Sequence, residues 1–290
     1  MTEFRKLVPL CCAALVALSG AALADGYEYE GKAMAAPEEG RKFTYSFNLG
    51  GTSDYVFRGF SQTGRDPTIQ GGADFGWGSL YLGVWASGLD FGDTLAGAGI
   101  ANAEVDIYGG YTPSWDTKTI FGKVDFDFGV IYYAYPSALD AGAELDYVEF
   151  KAGYTTKLWS FLIPGLSSGT TVYYSPEYTG EVGPVWTVES TYAWTGHEIR
   201  GIKPTISALL GWQTGDNAGW IAVFGNGDDE YYYWNAGLEL AIENISFDFR
   251  YWDTDVKNNN AGGGGVNGFC TGPLFQCDQA FVFTVKVAVP

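Results

Sequence analysis

The chain has 290 residues and a formal net charge of −18, and it combines 17% aromatic residues with 41 glycines. Nucleic-acid binding depends on lysine and arginine neutralising phosphates, so this charge argues against a nucleic-acid partner. After residue 24 the sequence has no apolar run of about 20 residues, which argues against a transmembrane helix.

The N-terminus has the pattern of a secretory signal peptide. Residues 1–24 contain two basic residues, an apolar run and the small-residue ending Ala22-Leu23-Ala24, which is the pattern of a cleaved signal. We therefore expect export by the Sec pathway. Residues 25–42 are small and charged without periodicity, and we expect a flexible periplasmic lead-in.

From residue 43 onward, apolar and polar residues alternate in segments. Phe43, Tyr45 and Phe47 alternate with polar residues in the first segment, and such alternation produces a strand with one apolar face. Twelve segments of this kind predict an all-β fold, a transmembrane antiparallel up-and-down β-barrel of about 12 strands over residues 43–290. A soluble β-sandwich also alternates, but aromatic residues near the strand ends favour the barrel.

The first predicted strand runs from Phe43 to Arg58. A strand of this length rises above the apolar band of an outer membrane, which is about 25 Å tall. We therefore expect Tyr55 and Phe57 to lie in the outer aromatic girdle, where amphipathic rings favour the interface.

The connections provide a second indication of a barrel. The links at 76–79, 195–202 and 243–244 are predicted on one side of the membrane, and the two longest, around 215–230 and 254–279, on the other. Because bacterial barrels place their short turns in the periplasm, we expect the long links to face outward.

Two cysteines follow the signal peptide. Cys270 and Cys277 flank a short segment with a Gly-Pro pair, and in an exported chain this spacing predicts one local disulfide. With His197 as the single histidine, we expect no metal site and no cofactor.

The polar faces of the strands supply charged residues for a lumen. Acidic members outnumber basic ones, which predicts a potential that attracts cations. We interpret the protein as a narrow passive channel for small hydrophilic solutes, with a preference for cations; the alternative is a structural barrel whose charges, such as Asp248 and Arg250, pair and plug the lumen. The predicted pore-lining residues are Arg58, Asp74, Glu104, Asp106, Asp125, Asp127, Glu149, Lys151, Glu189, Glu239, Asp248, Arg250 and Lys286.

An enzyme and an adhesin or receptor are two further function classes that the sequence disfavours. A lipid hydrolase needs a nucleophile with a base, yet His197 lies in a predicted periplasmic turn with no serine within several positions. A carboxylate-based protease would use paired acids such as Asp125 and Asp127, but alternating acids on one strand face fit a hydrated lumen better.

An adhesin or receptor would depend on the outer loops, whose Asn- and Gly-rich sequence is typical of a spacer. We expect no enzyme, and as partners outer-membrane lipid, lipopolysaccharide and small solutes or cations.

The most distinctive motif begins at Ser53. Ser53-Asp54-Tyr55-Val56-Phe57-Arg58-Gly59 is followed by Ser61-Gln62-Thr63, Pro67, Gln70-Gly71-Gly72 and Trp85-Ala86-Ser87. This block, together with segments 104–111 and 129–136, resembles the signature of the TorF family of porin-like outer-membrane proteins. The resemblance covers most of the chain after the signal. It implies a barrel with a channel role and supplies no substrate or catalytic residues.

Overall fold

The computed structural model describes residues 43–92, 100–118, 122–136, 138, 144–157, 163–224, 228–256, 270 and 275–289. The signal peptide and lead-in expected over residues 1–42 lie outside the described residues. The strands are β1 (Phe43–Thr52), β2 (Val56–Phe57), β3 (Phe60–Ser61), β4 (Thr68–Trp77), β5 (Leu80–Gly88), β6 (Ala103–Tyr111), β7 (Ser114–Asp116), β8 (Lys123–Ala134), β9 (Tyr147–Thr156), β10 (Leu166–Ser175), β11 (Val185–Thr195), β12 (Ile202–Gly215), β13 (Glu230–Ile242), β14 (Ile245–Thr254) and β15 (Ala280–Val289), and the helix is α1 (Ala218–Val223).

Twelve of these strands form a closed antiparallel barrel. Strands β1, β4, β5, β6 and β8 to β15 each pair with their neighbours in chain order, and β1 also pairs with β15, which closes the sheet. The predicted 12-strand barrel is therefore confirmed. Strands β2 and β3 form a separate hairpin, and β7 extends the pairing of β8. In the described part of the chain, no helix has the length and apolar character needed to cross a membrane.

The two ends of the barrel differ in their connections. One end, here called the terminal end, holds the start of β1, the end of β15 and the two-residue turns at 78–79 and 243–244. Gly78 and Glu243 have positive φ in these turns, as short hairpins require. The opposite end, here called the far end, holds the long connections.

The outward faces of the strands are apolar and exposed. Leu49, Leu82, Phe150 and Leu210 are each more than half exposed, and Trp77 is 62% exposed near the terminal end. A continuous apolar exterior of this size is unusual for a soluble protein. It is the lipid-facing surface of a transmembrane barrel, with aromatic residues at its margin.

The first strand ends at Thr52 and not at Arg58, so the predicted position of Tyr55 and Phe57 in the outer girdle is wrong. Tyr55 is 0% exposed, and both rings lie inside the barrel. The alternation does continue past Thr52. However, a turn at Arg58-Gly59 folds the segment back on itself, so it pairs with residues 60–61 instead of the barrel wall.

Candidate functional site

A short hairpin enters the barrel from the far end. We call residues 53–63 the inner hairpin; in it Val56 pairs with Ser61 and Phe57 with Phe60. The two linking residues have positive φ, 48° in Arg58 and 88° in Gly59, the sign pattern of a type I′ turn. A β-carbon on Gly59 would collide with side chains of the barrel wall, so glycine serves both the turn and the close approach.

The base of the inner hairpin is held by Asp54. Its carboxylate accepts hydrogen bonds from Ser61 Oγ at 2.7 Å and Thr63 Oγ1 at 2.9 Å. Burial raises the pKa of the Asp54 carboxyl, while those two hydrogen bonds and the charge of Arg65 oppose the rise. The conspicuous polar residues of the motif therefore fix the local shape of the inner hairpin.

The tip of the inner hairpin makes a buried ion pair with the wall. The two terminal nitrogens of Arg58 donate to Glu149 Oε1 and Oε2, both at 2.7 Å, and the Tyr133 hydroxyl donates to Oε2 at 3.1 Å. Arg58 is 1% exposed. Bidentate pairs of this kind are among the stronger hydrogen-bonded contacts, and removing one partner of a buried pair costs about 3–5 kcal/mol.

Three aromatic rings surround the same guanidinium. Its central carbon lies 4.7 Å from the ring centroid of Phe57, 5.2 Å from that of Tyr173 and 6.0 Å from that of Tyr178. Cations are attracted to ring faces at such distances. Arg58 is therefore held by a carboxylate and an aromatic cage together.

Aromatic packing fills the lumen around the inner hairpin. Tyr55 lies edge-on to Trp85 with centroids 5.5 Å apart, and Phe60 lies edge-on to Tyr231 at 5.3 Å. Helix α1 adds Trp220, which is 0% exposed. We call this level the filled layer; besides the inner hairpin it contains Tyr133, Glu149, Tyr173, Gln213, Tyr231, Tyr233 and Trp252, all buried.

The lumen between the filled layer and the terminal end has a different lining. We call it the terminal half. Besides buried residues such as Ser46 and Tyr108, it holds polar inward-facing side chains that stay partly exposed: Thr44, Asn48, Thr155, Thr171, Thr191, Glu239, Ser246 and Lys286.

Two carboxylates in the terminal half are held by tyrosines. Asp74 accepts from the Tyr108 hydroxyl at 2.5 Å. Asp127 accepts from the Tyr81 hydroxyl at 2.8 Å and pairs with Lys151 Nζ at 2.5 Å. These groups are satisfied within the barrel, so the lumen keeps a fixed pattern of charge.

A third buried pair lies on β14. Arg250 donates to Asp248 Oδ1 at 3.1 Å and Oδ2 at 3.0 Å. The same guanidinium also donates to Asn235 Oδ1 at 2.6 Å and Ser207 Oγ at 2.9 Å. This is the pairing that the plugged-barrel alternative anticipates.

Most of the predicted pore-lining residues are buried in the barrel interior, while Asp125, Glu239 and Lys286 are partly exposed. Asp125 pairs with Lys123 at 2.8 Å, close to the terminal end. Whether these residues line an open pore stays a prediction. Among the described residues, no group of three or more His, Cys, Asp or Glu side chains is placed to hold a metal ion. The predicted pore-lining residues that are buried are Arg58, Asp74, Glu104, Asp106, Asp127, Glu149, Lys151, Glu189, Asp248 and Arg250.

The inner hairpin was not predicted from the sequence. The signal for it is Phe57-Arg58-Gly59-Phe60, in which a residue followed by glycine separates two β-forming aromatics. Helix α1 was not predicted either, because its six residues are too few to show helical periodicity.

The predicted disulfide between Cys270 and Cys277 is confirmed. The residues on either side of Cys277 are attached at the base of the inner hairpin, because the Gln276 carbonyl accepts from the Ser61 amide at 2.8 Å and Asp278 pairs with Arg65. The disulfide therefore ends a segment that packs directly against the filled layer. Most of the loop before Cys277 lies outside the described residues.

Comparison with known proteins gives one family. A family model described as a bacterial protein of unknown function (Gcw_chp) matches residues 35–288. No curated protein matches the chain.

Several solved structures share a general likeness with the chain. A NanC porin structure is 10% identical, with 85% of this chain and 100% of that chain covered and a TM-score of 0.48. LpxR from Salmonella typhimurium is 9% identical, with 84% and 99% covered and a TM-score of 0.41. Pseudomonas aeruginosa OccK5 (OpdH) is 13% identical, with 87% and 68% covered and a TM-score of 0.38. The barrel assignment rests on the strand pairings and not on these likenesses.

Proposed function

The chain belongs to this bacterial family of unknown function, and we propose that it is a porin-like channel of the outer membrane, as the resemblance to the TorF family implies. In this proposal the terminal end faces the periplasm and the far end faces outward, which is the usual orientation of bacterial barrels with short periplasmic turns. Outer-membrane lipid and lipopolysaccharide contact the apolar exterior. Small hydrophilic solutes pass through the lumen.

The observation that carries this proposal is the partly exposed polar lining of the terminal half. Thr44, Asn48, Thr171 and Ser246 face inward there and keep contact with solvent. Since burying a polar group without a partner is costly, this lining is suited to a water-filled passage. A barrel built only for stability would gain more from apolar packing in the same space.

The charge balance supports a preference for cations. Four of the predicted lumen acids, Asp125, Asp127, Glu149 and Asp248, are paired with basic residues. The other predicted lumen acids outnumber the one remaining predicted lumen base, Lys286. A surplus of negative charge in a narrow lumen attracts cations and repels anions.

The second candidate is a plugged structural barrel, and the filled layer favours it. Under the channel proposal, the filled layer closes the opening of the lumen at the far end, here called the far mouth. The inner hairpin must then move before a solute passes. Under the alternative, the inner hairpin never leaves. We do not propose an enzyme. A lipid hydrolase needs a base beside its nucleophile, and the single histidine, His197, lies exposed in the 196–201 link at the terminal end.

A liposome-swelling assay separates the two candidates. Arg58→Ala removes the ion pair that fastens the tip of the inner hairpin, so proteoliposomes with this variant should swell in isotonic arabinose several-fold faster than those with wild-type protein. Wild-type proteoliposomes should swell faster than protein-free liposomes. If both proteins are folded, as judged by heat-modifiable gel mobility, and neither exceeds the protein-free rate, the structural barrel is correct.

A further inference from the structure

The cage around Arg58 has two separable parts. Phe57 and Arg58 itself belong to the inner hairpin. The rest belongs to the barrel: Glu149 is on β9, Tyr173 is on β10 and Tyr178 is in the connection after β10. We call these three residues, with Tyr133 on β8, the wall pocket.

The wall pocket is braced independently of the inner hairpin. Tyr133 donates to Glu149 and stacks on Tyr147, with centroids 4.3 Å apart. Tyr147 in turn contacts Tyr178 at 4.7 Å. Because these contacts join wall residues to each other, we expect Glu149, Tyr133 and Tyr178 to keep their positions when the inner hairpin is withdrawn.

The chemistry of the wall pocket is specific for a guanidinium group. The two carboxylate oxygens of Glu149 accept two parallel hydrogen bonds from the terminal nitrogens of one guanidinium group. Tyr173 and Tyr178 place their rings near the central carbon of that group. An ammonium group is a point charge that cannot make the parallel pair of hydrogen bonds. The wall pocket therefore discriminates between two cations of equal charge.

The other buried ion pairs of the described lumen lack this division into two parts. Lys151 and Asp127 both belong to barrel strands, and so do Arg250 and Asp248. Of the buried ion pairs among the described residues, the Arg58 pair alone joins the wall to an inserted element. Its position makes Arg58 a replaceable occupant of the wall pocket.

We propose that the wall pocket is a binding site for small solutes bearing a guanidinium group, and that Arg58 is its tethered occupant. The inference rests on the proposed function for the route by which a solute arrives. A guanidinium solute that displaces Arg58 takes over its contacts with Glu149 and releases the tip of the inner hairpin. Because the solute binds only when the tip of the inner hairpin has left the wall pocket, its binding shifts the population toward the state in which the far mouth is open.

The test is chemical complementation followed by calorimetry on the full-length protein in detergent micelles. Ethylguanidinium is the fragment that Arg58→Ala removes, so it should bind this variant about tenfold or more tightly than wild type, in line with the free energy of charged hydrogen bonds. Arg65→Ala is the matched control, since Arg65 pairs with Asp278 at an exposed position. It should bind no better than wild type. Ethylammonium should bind Arg58→Ala more weakly than ethylguanidinium does.

Three results would overturn the inference: equal binding to Arg58→Ala and Arg65→Ala, equal binding of the two cations, or binding that survives in Arg58→Ala/Glu149→Gln. If Arg58→Ala does not fold, Arg58→Lys serves instead. It keeps the charge without the fork, and should bind ethylguanidinium more tightly than wild type does; failure to do so counts against the inference. Calorimetry needs no conduction, so binding without swelling rejects the channel alone, and swelling without binding rejects the wall pocket alone.

Discussion

Arg58 occupies a backbone conformation that a long side chain seldom adopts. Its φ of 48° lies in the left-handed region, which costs a non-glycine residue of order 1–3 kcal/mol. The bidentate contact with Glu149 and the three ring contacts offset that cost. The residue is therefore fixed by what its side chain binds and not by what its backbone prefers.

The charge of a single lumen acid should be measurable in the selectivity of the pore. Asp74 is held by the Tyr108 and Ser46 hydroxyls, so Asp74→Asn removes one negative charge with little change of shape. The cation-to-anion permeability ratio should fall about twofold, since Asp74 is buried in the lumen wall and its charge acts on passing ions only at a distance. Reversal potentials under a KCl gradient measure this ratio. Asp116→Asn, at an exposed position on β7, is the control, and an equal effect of both substitutions would contradict a role for lumen charge.

At the scale of the elements, the inner hairpin depends on one glycine, Gly59. Gly59 has a φ of 88°, and a β-carbon there would collide with the Thr254 and Tyr233 side chains. Gly59→Ala should therefore destabilise the inserted position of the inner hairpin by about 1–3 kcal/mol. Hydrogen exchange of residues 53–63 should become faster while the barrel strands keep their protection.

Gly78→Ala is the matched control for this substitution. Gly78 also has a positive φ, 63°, but a β-carbon there would meet nothing within 4 Å, and the turn lies at the terminal end. It should leave the exchange of residues 53–63 unchanged. Equal exchange of residues 53–63 in the two variants would mean that the close fit of Gly59 against the wall contributes nothing to the stability of the inserted inner hairpin.

The barrel strands were predictable from the sequence, and the inner hairpin was not, for a physical reason. Strands facing lipid on one side and a polar lumen on the other must alternate, so β4, β8 and β14 show their period of two directly. Residues 53–58 continue the same alternation, but their apolar members face aromatic side chains inside the barrel instead of lipid. The period alone does not distinguish these two apolar surroundings.

For the molecule as a whole, the sequence identified most of the buried lumen charges but only one of their pairings, that of Asp248 with Arg250. Inward positions follow from alternation, which is why Glu149 and Asp127 were named. The partner of Glu149 is 91 residues away in the sequence, and only the closure of the barrel and the inward turn bring the two together. The division of the lumen into a filled layer and a terminal half with partly exposed polar side chains is likewise a property of the assembled barrel.

The most direct test of the channel is current recording from the wild-type protein in a planar bilayer under a KCl gradient. We predict discrete current steps that are brief and infrequent, because the far mouth is shut in the state described here. The reversal potential should shift toward the equilibrium potential of potassium. Arg58→Ala should stay open for longer and should prefer cations more strongly, because Glu149 loses its counter-charge. A folded barrel that gives no steps in either form would contradict the channel and leave a structural barrel as the account of this protein.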